Sequence, residues 1–168
     1  MPTMPSWDLI ITLFFIVAMA YGFIMQRDKA VITLISVYVA LVVVQYFSAP
    51  LLDFFAGEKT IFGQLFIKSS ASPFTIKVVL FAAVIALLSA KSGLTSKSES
   101  SIPPLEVLAY SFLNATLILS SIFSFMPETT QTTYSSSSKL ANFVISHNVW
   151  WIILPVILLI VLGWKRND

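Results

Sequence analysis

This chain has no cysteine and a single histidine, His147, among its 168 residues. The first absence excludes disulfides, iron-sulfur clusters and thiolate-bound metals, and the second leaves no histidine pair for a zinc site. Charge is also scarce: Asp, Glu, Lys and Arg together make up 11% of the residues, where a soluble domain carries about a quarter. So few charges cannot cover a water-exposed surface of this size. No glycine-rich phosphate loop, dinucleotide fingerprint or basic surface interleaved with aromatics is present, so nucleic acid is not an expected partner.

What takes the place of charge is apolar sequence, 57% of the residues, with a mean hydropathy of +0.89. It comes in long blocks. Residues 9–26 hold no charge and extend about 27 Å as a helix, close to the roughly 30 Å hydrocarbon layer. Residues 30–50 form a second block, whose run VYVALVVVQYF is β-branched enough to resemble a buried strand. A lone strand in lipid would leave its backbone unpaired, so a helix is expected. Between the two, in YGFIMQRDKAVITLIS, sit only Arg27, Asp28 and Lys29. That spacing predicts a short water-facing turn and a tight antiparallel hairpin.

Three further blocks follow, at residues 74–90, 105–126 and 145–164. The first requires Lys77 to snorkel to the interface from its opening turn, the competing reading being an ionisable group working inside the membrane. The last contains Pro155 and should kink there. The expected fold is all-α: a multi-pass integral membrane helical bundle with four or five transmembrane helices, forming one membrane domain over residues 1–168. The start, MPTMPSWDLI, lacks the positive region of a signal peptide, so the first block is expected to be permanent.

Between the blocks, residues 53–68 repeat paired apolar residues at helical spacing, fitting either an interfacial amphipathic helix or an aromatic-rich loop on the bundle. Residues 127–139, PETTQTTYSSSSK, read as a mobile Ser/Thr-rich linker. Trp7 and Asp8, with Asp8 as an N-cap, Lys77, and the girdle of Trp150, Trp151 and Trp164 are the expected interfacial residues. With five crossings, Arg27, Lys29, Lys91, Lys97, Lys165 and Arg166 collect on one side, and Lys59, Lys68, Lys77 and Lys139 on the other. The positive-inside rule then puts the C-terminus and the Arg27–Lys29 cluster in the cytoplasm.

The fourth block carries a polar stripe of Ser111, Asn114, Ser120, Ser121 and Ser124. Polar groups in a span face other helices, so this block should be the least lipid-exposed. Ser111, Asn114 and Ser121 would hold helices together or line a homo-oligomeric pore, and Gly22 would permit close helix approach. Asp8, Asp28, Asp53, Glu58, Glu99, Glu106, Glu128 and Asp168 all fall at block ends or in loops. No paired intramembrane carboxylate, nucleophile-base pair or metal site can therefore be assembled, and no catalytic residue, metal or cofactor is expected. The same distribution weighs against an ion-coupled carrier, and no internal repetition is present.

One family shares several of these features. The opening WDLIITLFFIVAMAYGF, with Asp8 ahead of the first block, Gly22 near its end and charge before the next, resembles the bacterial CvpA, or colicin V production, family. The turn KSGLT at residues 91–95 is similar to a K-x-G-L-x turn that follows the third span in that family. The resemblance covers roughly residues 6–126. The family's fourth helix usually carries glycines and an arginine, where this chain has YSFLNATLILSS. Membership would imply a multi-pass protein of the bacterial inner membrane, associated with toxin production or secretion and with envelope maintenance, without catalysis. It would also imply a packing role for Gly22, an interfacial role for Asp8 and a turn at Gly93.

The expected function is accordingly a non-enzymatic accessory or scaffold whose partners are membrane lipid, other membrane proteins or copies of itself. A small channel or transporter subunit is the alternative, and a lytic hole-former a third reading.

Overall fold

The computed structural model describes residues 6–56, 72–91 and 104–164. Among them the chain is all-α, in six helices: α1 (Trp7–Ala56), α2 (Pro73–Lys91), α3 (Pro104–Phe125), α4 (Glu128–Ser137), α5 (Lys139–Ser146) and α6 (Asn148–Trp164). Four stretches are long and apolar enough to cross a membrane: Trp7–Ile24, Lys29–Phe54, Pro73–Lys91 and Leu105–Phe125. A fifth is formed if α5 and α6 together make one broken span. This is a multi-pass membrane bundle.

The first two apolar blocks lie within α1, whose backbone is helical throughout. The helical assignment continues through Arg27–Lys29, but the chain changes direction there, as the turn expected from the charge cluster requires. Trp7 meets Tyr134 edge-on at 4.4 Å between ring centroids, and Tyr134 lies 6.3 Å from Phe123, so the first arm starts at the C-terminal end of α3. Gly22 then lies against Ser111, near the N-terminal end of α3.

A straight continuation would carry Ala30 about 12 Å farther, past the start of α3. Instead the Ala30 carbonyl accepts a hydrogen bond from Asn114 Nδ2 at 2.7 Å. The second arm thus returns alongside α3, and Leu34, Val37, Ala40 and Val44 join Phe81, Tyr110 and Leu117 in the main core. The expected hairpin is present in the packing of the two arms against α3.

α3 is the centre of the bundle. Of its span 56% is buried, against 11% for the first arm of α1 and for α2. The outer helices keep large apolar side chains on their outward faces, such as Ile24, Tyr46, Val79 and Ile160, as helices solvated by lipid do.

The stretch expected as a linker is instead largely helical, with α4 covering Glu128–Ser137. Its hydroxyls fold back on their own backbone, Thr132 and Thr133 donating to the Thr129 carbonyl at 2.9 Å. The Ser/Thr composition that suggests a loop is thereby accommodated locally. The final block is also divided, because α5 and α6 meet at an angle of 67° at His147. Pro155, where the kink was expected, lies inside α6 with its side chain fully buried. Of the expected interfacial segment at 53–68, residues 53–56 end α1 and the rest lies outside the described residues.

Tyr38 holds the broken span to the second arm, its hydroxyl donating to the Ile152 carbonyl at 2.5 Å. Tyr38→Phe should cost about 1 kcal/mol, within the range of interhelical hydrogen bonds in membranes, measured by reversible unfolding in mixed micelles.

Candidate functional site

Three residues of the sequence-derived set converge on one place: Gly22, Ser111 and Asn114 line a common cavity of about 840 Å³ between both arms of α1, α2 and α3. Its polar lining is gathered at one end. Lys29 and Thr33 come from the start of the second arm, Ser89 from the end of α2, and Ser111 and Asn114 from the first half of α3. At the other end the walls are Val78, Phe81, Ala82, Ile118 and Ile122. All of the helices agree on this polarity, because residues near the Arg27–Lys29 apex, the end of α2 and the start of α3 share one side of the bundle.

The hydroxyls at this site are largely spent on their own helices. Ser111 donates to the Val107 carbonyl at 2.7 Å, and Thr33 to the Lys29 carbonyl at 2.8 Å. Farther along α3, Thr116 and Ser121 do the same with Phe112 and Leu117. Such bonds satisfy the hydroxyl without joining two helices. Asn114 is different, since it reaches from α3 to α1 through Nδ2. Its Oδ1 is buried and without a partner.

Gly22 explains how closely the first arm approaches α3. A Cβ placed there would fall 1.9 Å from Ser111 Oγ and 2.5 Å from Ser111 Cβ. Ser121 is buried but does not line the cavity. The stripe read from sequence therefore does not form one continuous polar wall within this chain.

The interfacial set divides. Trp7 is exposed and packs on Tyr134, and Trp150 is exposed. Trp151 departs from the expected girdle: it is 7% exposed and clusters with Ile11, Phe123, Ala141 and Val144 inside the bundle. The 67° turn before α6 points this ring inward, and its Nε1 has no partner. Lys77 is half-buried beside a smaller cavity of about 540 Å³ that includes Tyr134 and Met126. The side chain of Trp164 lies outside the described residues, as does Gly93.

Asp8 also has a role other than the one expected. It lies within the first turn of α1, and the Ser6 carbonyl ahead of it accepts from the Leu9 and Ile10 amides. Its Oδ1 instead accepts from Ser138 Oγ at 2.6 Å and from the Leu140 amide at 3.1 Å. Ser138 Oγ in turn accepts from the Ala141 amide at 3.0 Å. Asp8 and Ser138 together cap α5, placing a carboxylate where the helix dipole favours one. Ser138→Ala should cost about 1 kcal/mol, typical of a lost cap, and loosen α5, read as faster amide exchange at residues 140–142.

Tyr38 and Ser138 were not singled out by sequence reasoning. Tyr38 sits in an otherwise apolar run and Ser138 in a serine tract, so neither has a local signal marking its partner across the fold. Among the described residues, no group of three or more His, Cys, Asp or Glu is arranged to hold a metal ion. Neither a known protein family, nor a curated protein, nor a solved structure matches this chain.

Proposed function

We propose that this chain is a non-enzymatic accessory or scaffold protein of the bacterial inner membrane. In this reading it works by holding other membrane components, as the resemblance of residues 6–126 to colicin V production proteins implies, in toxin production or secretion or in envelope maintenance. The observation that carries it is the use made of the polar groups. Asp8 caps α5, and Ser111, Thr116 and Ser121 of α3 donate to carbonyls of their own helix. The outward faces of α1, α2 and α6 offer partners large exposed apolar side chains.

The test is mild crosslinking in native membranes, followed by purification through a C-terminal tag and mass identification. Recovery of the same secretion or envelope component in repeated preparations is the expected result. Turnover of a substrate by the purified chain alone would contradict the reading. Recovery of self-crosslinked oligomers alone would favour the channel alternative, to be followed by flux measurements in vesicles.

A further inference from the structure

We infer that the cavity between the two arms of α1, α2 and α3 is a binding site for one anionic phospholipid, taken from the leaflet on the side of Lys29 and Lys91. This inference depends on the membrane placement of the bundle and not on the accessory role.

Three properties of the cavity lead to this occupant. The first is its length. Its lining runs from Ser111 to Ile122 on α3 and from Val78 to Ala90 on α2, or about 16 Å and 18 Å at the helical rise. That is close to one leaflet, half of a hydrocarbon layer of about 30 Å. The second is its amphipathic layout. Polar groups from three helices surround one end, and the walls become wholly apolar toward Phe81 and Ile122. An amphiphile matches this gradient, whereas a uniformly apolar ligand would leave the polar end unused.

The third is charge and hydrogen bonding at the polar end. Lys29 lines it, and Lys91 directly follows Ala90, another lining residue. Cations at a membrane surface attract anionic headgroups. Thr33, Ser89, Ser111 and Asn114 add polar groups at the same end, a setting suited to the glycerol and headgroup region.

A transmembrane helix of a partner or a second copy, apolar along its length, would set apolar side chains against the charged and polar end lined by Lys29, Ser111 and Asn114. The cavity volume of about 840 Å³ lies within the range of about 300–1,000 Å³ typical of ligand clefts. Small residues of α2, Ala82, Ala86 and Ala90, leave it exposed along that wall. A chain can enter sideways from the bilayer by that route.

The experiment reconstitutes the full chain in phosphatidylcholine vesicles containing a minority of phosphatidylglycerol with a diazirine at one acyl-chain end, followed by photolysis and peptide mapping. Adducts should concentrate at Val78–Ala82 and Ile118–Ile122, and Ala82→Trp should lower them at least tenfold. Ala86→Phe blocks the same wall with a smaller ring and should give the same loss if the tryptophan variant does not fold. Lys29→Gln should reduce the preference for the phosphatidylglycerol probe over a phosphatidylcholine probe several-fold. Native mass spectrometry of the unmodified chain should retain one phosphatidylglycerol. Adducts spread over Leu13, Val17 and the outer face of α6, unchanged by either blocking variant, would overturn the assignment. Disulfide-linked dimers of Ala86→Cys in place of lipid adducts would put a second copy in the groove and overturn it equally.

Discussion

Gly22→Ala is expected to destabilise the bundle by about 2–3 kcal/mol, toward the upper end of the range for overpacking a close contact. The new methyl would stand 1.9 Å from Ser111 Oγ and 2.5 Å from Ser111 Cβ, separations that no rotamer change at Ser111 relieves fully, because Cβ does not move with χ1. Either the first arm withdraws from α3, or both helices bend. The remedy is equally specific. Ser111→Gly removes both clashing atoms and leaves Ser111 Cα at 3.5 Å, an ordinary contact. The double variant should therefore regain most of the loss, with about 1 kcal/mol outstanding for glycine in a helix. Unfolding titrations in mixed micelles measure all three variants. A neutral Gly22→Ala, or a double variant no better than the single one, would contradict this close approach of α1 to α3.

Asn114→Asp should be comparably damaging, about 3 kcal/mol at pH 7, which is the scale for an acidic group placed in a membrane helix. The wild-type amide donates to the Ala30 carbonyl. An ionised carboxylate would set a negative oxygen against that carbonyl with no proton between them. Asn114→Leu removes the same bond without adding charge and should cost only about 1 kcal/mol. Lowering the pH toward the ordinary carboxyl range returns a proton to the aspartate variant, and with it a donor to Ala30. Its deficit should thus shrink on acidification while that of Asn114→Leu stays constant. Parallel pH dependence in the two variants would argue against the contact between Asn114 and Ala30.

The membrane class of this protein is written in its block lengths and low charge, which no tertiary contact can change. The burial of α3 was also legible, because Ser111, Asn114, Ser120 and Ser121 are costly in contact with lipid. What sequence could not reveal is where those polar groups bond. A serine that returns its proton to its own helix and an asparagine that crosses to Ala30 have the same one-dimensional signature. The reversal at Arg27–Lys29 is legible from three charges set between two uncharged blocks. The serine tract before α5 is the opposite case. Its composition resembles a linker, but Asp8, distant in sequence, supplies the cap that lets a helix begin after Ser138. Trp151 was assigned to the interface because tryptophans favour it, and the bend at His147 turned the ring into the core.

The most direct test of the whole arrangement is the sidedness of two exposed positions at opposite ends of the bundle. Ser136 lies on α4, beyond the C-terminal end of α3, and Lys91 closes α2 at the other end. The chain has no cysteine of its own, so Ser136→Cys and Lys91→Cys each present one thiol to a membrane-impermeant maleimide in sealed vesicles of fixed orientation. Labelling of the two from opposite faces is the predicted result. Labelling of both from the same face would contradict the bundle, because α3 would then fail to cross the membrane.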